Sequence, residues 1–324
     1  MTNFKYFQSQ ALSDTDRSFD EKALQLFYFQ VDNNDIYRSY IEHLGVDSVS
    51  FKTIYEIPFL PISFFKEFAI RTGNWQEETI FESSGTTSDK PSKHYLPGID
   101  FYHNHAKKLF TDVFGDPADC ITLALLPSYI ERSNSSLVSM VSSFIDLGKE
   151  GSGFFMNNFA DLKKVVNENK GEKIILWGVT FALLELGEFG IDLQGVTVIE
   201  TGGMKGRGME LVREDLYQKL KYMLNTDAVY SEYGMTELLS QSYAINGKFE
   251  NNNSMKVMIR DINDPFNYVK SGKTGGVNVI DLANAHSCSF IETKDLGRYV
   301  SSNCYEIVGR FDNSDIRGCN LLFD

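Results

Sequence analysis

Residues 120–126 (CITLALL) form a near-continuous apolar run, and 173–178 (KIILWG) and 196–200 (VTVIE) repeat the pattern. A strand that is apolar on both faces must be covered on both faces, which is the condition of a parallel sheet flanked by helices. Helix-patterned segments fill the intervals, at 98–114, 135–147, 160–168, 181–188 and 209–223, with shorter strand-like pieces at 153–156 and 227–230. That alternation predicts βαβ units. Residues 1–60 read as amphipathic helices, one of them starting at Phe19 with Asp20 and Glu21 in its first turn. Pro58 and Pro61 punctuate the approach to a further helix-like piece at 63–68. Beyond residue 255 the segments 256–260, 276–282, 290–293 and 305–308 read as strands joined by turns, a smaller and mainly antiparallel β region. The expected fold class is α/β, with covered, mainly parallel sheets and a smaller C-terminal β region. One domain is expected over 1–324: a helical lead-in to about 60, an α/β part to about 254 and a β-rich remainder.

Charge and composition narrow the function classes. The net charge of −13 disfavours a generic binder of nucleic acid or anionic membrane, since both require a basic face. No segment reaches the roughly 18 to 20 apolar residues of a membrane span. The opening residues carry acids and polar groups where a signal peptide needs an apolar core, so a cytoplasmic location is expected. Cys120, Cys288, Cys304 and Cys319 show neither a C-x-x-C pair nor metal-site spacing with the histidines, and free thiols are expected.

The chemistry gathers in polar loops. Ser83, Ser84, Gly85, Thr86, Thr87 and Ser88 run between two strand-like stubs, followed by Asp89, Lys90 and Lys93. Exposed N–H groups, hydroxyl donors and a glycine suit the cradling of phosphate oxygens, with Lys90 and Lys93 supplying charge. The same composition also describes a plain solvated turn, and no Walker motif occurs. In covered parallel sheets, ligands bind outside the carboxyl ends of the strands. Those ends carry Glu131 and Arg132, then Thr201, Gly202 and Gly203 with Lys205 and Arg207, then Glu232, Gly234, Thr236 and Glu237. The set suits a nucleotide-sized cleft.

Five motifs in order carry a resemblance: Ser83-Ser84-Gly85-Thr86-Thr87, Thr201-Gly202-Gly203, Tyr233-Gly234-Met235-Thr236-Glu237, Asp295-Leu296-Gly297 and Gly309-Arg310-Phe311-Asp312. This order resembles that of the adenylate-forming enzymes, the acyl-CoA synthetases and luciferases. Pro127-Ser128-Tyr129-Ile130-Glu131-Arg132 and Arg317-Gly318-Cys319 look like the acyl-protein synthetase (LuxE) family within them. The resemblance spans about residues 60–324. It implies a fold like the large N-terminal domain of those enzymes, without their small mobile C-terminal domain and its lysine.

The resemblance also implies ATP with Mg²⁺, and activation of a fatty or aryl carboxylic acid as its acyl-adenylate. Transfer to a thiol would follow, either Cys319 itself feeding an acyl-CoA reductase-type partner, or CoA or a carrier protein. A non-catalytic subunit that binds nucleotide or a partner stays open beside these. The hydroxyl loop, with Lys90 or Lys93, would hold the outer phosphates. Thr236 would bond the α-phosphate and Glu237 would hold Mg²⁺. Tyr233 would stack on adenine, with Gly202 and Gly203 close to that base. Asp295 would bind the ribose hydroxyls, and Arg310 ribose or phosphate. Ser88, where many relatives have glycine, and Asp89, an acid beside the phosphates, depart from the pattern. A partner subunit, or the local cations Lys205 and Arg207, would stand in for the lysine of the mobile domain. Residues 154–156 and 177–181 are expected to line the acyl pocket. Singly, Glu237 would equally suit the first turn of a helix, Asp295 a turn and Arg310 a surface pair with Asp312.

Overall fold

The computed structural model describes residues 4–12, 17–46, 51–83, 90–126, 134–202 and 213–311. The helical lead-in comprises α1 (Phe4–Leu12), α2 (Phe19–Asn33) and α3 (Asp35–Leu44). Ser18 and Glu21 form a reciprocal capping box that starts α2. Asn34 caps α3 by accepting from Tyr37 N, and Gly45, at φ 66°, ends it in the left-handed region. After β1 (Leu60–Pro61) and the single turn α4 (Phe64–Glu67), strands β2 (Thr79–Glu82) and β3 (Lys93–Leu96) form a separate antiparallel hairpin.

The alternating middle follows: α5 (Asp100–Phe114), β4 (Ile121–Leu125), α6 (Ser136–Leu147), β5 (Gly153–Phe154), α7 (Phe159–Glu168), β6 (Ile174–Gly178), α8 (Thr180–Phe189), β7 (Thr197–Glu200), α9 (Arg213–Leu224) and β8 (Val229–Tyr233). Strands β5, β4, β6, β7 and β8 pair in that order, all parallel. Every residue of β4 and β6 is buried, as strands covered on both faces require. One face carries Trp177, whose ring packs against Phe110 of α5 and Phe144 of α6. On the other face Leu183 of α8 fills the space beside Gly178, and Tyr217 of α9 meets Ser231 at 2.7 Å.

The β-rich remainder continues the same sheet. Strands β9 (Ser242–Ile245), β10 (Lys248–Glu250), β11 (Met255–Arg260), β12 (Thr274–Asp281), β13 (Phe290–Tyr299) and β14 (Cys304–Arg310) add antiparallel in the order β8-β9-β10-β14-β13-β12-β11, and β1 pairs parallel with β13. The lead-in docks on the β12–β13 connection. The Gln30 amide donates to the carbonyls of Asn284, Ala285 and Ser287 and accepts from Ser289 N, while Asn34 donates to Ser287 O. Phe27 and Tyr37 pack on Phe290 in the same contact. Among the described residues no helix is long and apolar enough to cross a membrane.

Candidate active site

Thr236 and Glu237 form a turn directly after β8, not the start of a helix. Three side chains from other parts of the chain fix that turn. His94, on the inward face of β3, places Nδ1 2.8 Å from Thr236 O and Nε2 3.0 Å from Asn284 Oδ1. Asn284 donates to Glu237 O at 2.8 Å. Asp281, fully buried at the end of β12, accepts from Leu239 N, Ser240 N and the Ser240 hydroxyl. A carboxylate taking several such bonds is a rigid clamp on the segment that follows Glu237.

The base of the hydroxyl-rich loop reaches the same turn. Ser83 and Ser92 are bridged where β2 and β3 meet: Ser83 N donates to Ser92 O, and Ser92 N to the Ser83 hydroxyl. The Ser92 hydroxyl also lies close enough to the Glu237 carboxyl to lower its pKa. Ser84, Gly85, Thr86, Thr87, Ser88 and Asp89 lie outside the described residues. Lys90 is exposed and pairs with Glu67 at 3.4 Å. Lys93 pairs with Glu82 at 3.1 Å, on the strand face opposite His94.

Asp295 and Arg310 are cross-strand partners of β13 and β14, so the two distant motifs meet by register. Arg310 Nε lies 3.5 Å from Asp295 Oδ1, with the Arg310 side chain 53% exposed and that of Asp295 14%. Tyr233 Oη donates to Asp295 Oδ2 at 2.9 Å. Because β8 and β13 are not neighbours in the sheet, this bond requires the sheet to curl. Bridging the curl, Tyr233 meets Phe249 edge to face and Phe249 stacks on Tyr305. Burial raises the Glu237 carboxyl above its ordinary range; the Ser92 hydroxyl and Arg310 oppose that rise and Asp295 adds to it. Tyr233, Glu237, Asp295 and Arg310 thus share one electrostatic environment, together with the loop base.

Gly202, at φ 77°, holds the left-handed turn after β7, and its N–H donates to Glu200 Oε1 at 2.8 Å. Thr180 also donates to that carboxylate. Gly234 follows β8 with the Glu232 carboxyl folded against it. Gly203, Lys205, Arg207, Glu131, Arg132, Asp312 and Cys319 lie outside the described residues. Of the segments expected to line an acyl pocket, Trp177 is fully buried whereas Met156 is 42% exposed. Sequence reasoning missed Ser92, His94, Asn284 and Asp281. The alternation in Lys93-His94-Tyr95-Leu96, which puts a histidine on the apolar face, was the available signal.

Among the described residues no group of three or more His, Cys, Asp or Glu is arranged to hold a metal. Glu237 is a buried carboxyl raised by its loss of solvent, and a cation beside it would favour the ionised form. A Mg²⁺ held by one carboxylate and by the phosphates of a nucleotide fits that donor set.

The chain matches solved structures over most of its length. Against 2-hydroxyisobutyryl-CoA ligase in an open conformation, with 2-HIB-AMP and CoA, the TM-score is 0.66 at 13% identity, covering 91% of this chain and 70% of that one. The same ligase in its thioesterification state gives 0.66 at 13% identity, over 96% and 69%. The chain has the fold of the adenylate-forming ligases. ATP-bound MatB from Rhodopseudomonas palustris matches at TM-score 0.53 and 17% identity over 71% of this chain, which spans about half of that protein (47%). No family model matches the sequence, and no curated protein does.

Proposed function

We propose that the protein is an ATP-dependent, AMP-forming ligase of the acyl-protein synthetase type. The observation that carries this reading is the convergence of the hydroxyl-loop base, the Thr236–Glu237 turn, Tyr233, Asp295 and Arg310 on a fold of this class. In the reaction, a carboxylate oxygen of the acid attacks the α-phosphorus of ATP, the bond to pyrophosphate breaks, and pyrophosphate leaves. A thiolate then attacks the acyl carbon and AMP leaves.

The residues act by binding and by charge. Tyr233 flanks the base, and Asp295 accepts from the ribose hydroxyls with Arg310 beside it. The loop of Ser83 to Thr87, with Lys90 or Lys93, holds the outer phosphates and screens the leaving pyrophosphate. Thr236 bonds the α-phosphate. Glu237 and the phosphates would hold Mg²⁺, which supplies neutralisation of phosphate charge when bound. Gly202 and Gly203 let the backbone approach the nucleotide. Lys205 and Arg207 supply positive charge toward the reacting carboxylate, and Cys319 accepts the acyl group for delivery to a reductase partner. The acid has an apolar alkyl or aryl body. Transfer to CoA or a carrier protein is the second reading, favoured by the match to a CoA ligase over nine-tenths of the chain (91%).

ATP–pyrophosphate exchange driven by a panel of carboxylic acids tests adenylation. Absence of exchange with every acid would leave only a nucleotide- or partner-binding role. Hydroxylamine-sensitive labelling by radioactive acid, lost in Cys319→Ala, separates the acyl-protein reading from the CoA reading. Unchanged adenylation after Lys205 and Arg207 are both replaced by Ala would remove those cations from the mechanism.

A further inference from the structure

The face of the parallel sheet covered by α5 is less oily than its aromatic content suggests. By strand register, Thr122, Trp177, Tyr230, Glu232 and Tyr243 lie on this face. Glu232 is the direct cross-strand partner of Tyr243, and the Tyr243 ring packs against Trp177 at 6.1 Å. Tyr102, from α5, closes over the same place and donates to Ser136 O. Four buried polar atoms on α5 or on this sheet face have no hydrogen-bond partner among the described residues: His105 Nδ1, Thr111 Oγ1, Thr122 Oγ1 and Trp177 Nε1. Buried polar atoms are satisfied in nearly all proteins, so these four mark the layer as unusually polar.

Glu232 is the most demanding of the groups there. Its carboxyl lies against Gly234, one residue pair before Thr236 and Glu237, at the carboxyl end of β8. No hydrogen bond or ion pair reaches it from a described residue. The residue is half-buried, and its loss of solvent together with the neighbouring Glu200 pushes the carboxyl up to about 8. A hydrocarbon chain laid on this carboxyl would bury it unpartnered, which is costly. A donor on the ligand would remove that cost, a hydroxyl by bonding the carbonyl oxygen of the neutral acid and an ammonium by displacing its proton to solvent.

We infer that Glu232 is a specificity-determining residue of the acyl site, accepting a hydrogen bond from a hydroxyl or ammonium group on the acid that is activated. The substrate is then a donor-substituted alkyl or aryl acid, not a plain hydrocarbon acid. The inference rests on the adenylation reading above and deepens it.

The test is ATP–pyrophosphate exchange by the full chain with matched acids of equal length: plain, hydroxy-substituted and amino-substituted. The expected result is a kcat/KM at least about 100-fold higher for one substituted class than for its plain counterpart, because a site built for a donor rejects the analogue lacking it. Glu232→Leu should lose that class and gain the plain acid. Glu232→Gln, nearly isosteric, separates the two donors: it keeps a hydroxy acid within about tenfold and loses an ammonium acid, whose charge it no longer balances. Preference of the native protein for plain acids, with a ranking unchanged in Glu232→Gln, overturns the inference and leaves adenylation standing. Exchange with no acid overturns both. If Glu232→Leu does not fold, judged by circular dichroism, the native ranking and Glu232→Gln decide alone.

Discussion

His94 Nδ1 lies 2.8 Å from the carbonyl oxygen of Thr236, joining the strand after the hydroxyl-rich loop to the turn that carries Glu237. The other ring nitrogen faces Asn284 Oδ1 at 3.0 Å. The Asn284 amide is itself oriented, because its nitrogen donates to Glu237 O and Cys288 O. Burial pulls the imidazole down to about 4, so it is neutral at pH 7 and carries one N–H between two acceptors. His94→Ala therefore removes a buried donor, leaves whichever of Thr236 O and Asn284 Oδ1 it served unsatisfied and opens a cavity. The expected loss is about 2–4 kcal/mol of stability, read by urea unfolding. Nucleotide-dependent activity should fall by about tenfold or more, since an ångström of misplacement at a site is costly. His94→Asn, which can keep one donor, should recover part of both. A His94→Ala variant with unchanged unfolding would show that the turn does not depend on this side chain.

Gly234 and Glu232 are coupled sterically. A Cβ at Gly234 would collide with the Glu232 carboxyl, while its next nearest neighbour, Gln241 Cβ, lies at 3.5 Å, in ordinary contact. Gly234→Ala alone should destabilise by about 1–3 kcal/mol through overpacking. In a Glu232→Ala background the same change should cost less than half of that. The double-mutant cycle measures the difference directly, and additivity within about 0.5 kcal/mol would exclude the contact.

Much of this architecture is legible in the chain, for identifiable reasons. The runs over β4, β6 and β7 are apolar on both faces, so their pattern and their burial agree. The helices α5 to α8 fall within a residue or two of their sequence positions because capping groups such as Ser135 and Asn158 mark their starts. Asp295 and Arg310 could be named from motif order, but that they face each other across β13 and β14 depends on a register shift between Leu296 and Gly297, which no local pattern encodes. The hairpin of β9 and β10 escapes a strand-by-strand reading because each strand is short. Its turn, Asn246-Gly247 with both residues left-handed, was nonetheless present as a signal. The clamps from His94, Asn284 and Asp281 bring residues far apart in sequence onto one turn, and single side chains buried by tertiary contact leave no periodic trace. The continuation of one sheet from parallel to antiparallel strands is likewise a property of pairing, not of any segment.

Glu232 predicts an unusual pH dependence of stability. Its ordinary value is 4.5 and burial pushes it to about 8, so between those values the folded state binds more protons than the unfolded state. Stability from this group is full below pH 4.5 and is lost as pH rises toward 8. Glu232→Gln does not titrate. Its stability relative to the native protein should rise between pH 5 and pH 8.5, by on the order of a few kcal/mol at about 1.4 kcal/mol per unit. Urea unfolding of both proteins at several pH values gives the difference, and parallel curves would refute the assignment.

The Tyr233–Asp295 bond makes a prediction about the nucleotide. Asp295 accepts from Tyr233 at 2.9 Å on one oxygen and faces Arg310 at 3.5 Å on the other, so it is aimed by two partners. Tyr233→Phe removes one neutral donor and should raise KM for ATP by about three- to tenfold, in line with about 1 kcal/mol for such a bond. Asp295→Ala removes a charged acceptor and should raise it by about 10- to 100-fold. kcat should change less than KM in both, because the bonds are made equally in ground and transition states. The decisive comparison uses 2′-deoxy- and 3′-deoxy-ATP. If Asp295 holds the ribose hydroxyls, the native protein penalises at least one deoxynucleotide and Asp295→Ala erases that penalty. Equal penalties in both proteins would place the ribose elsewhere.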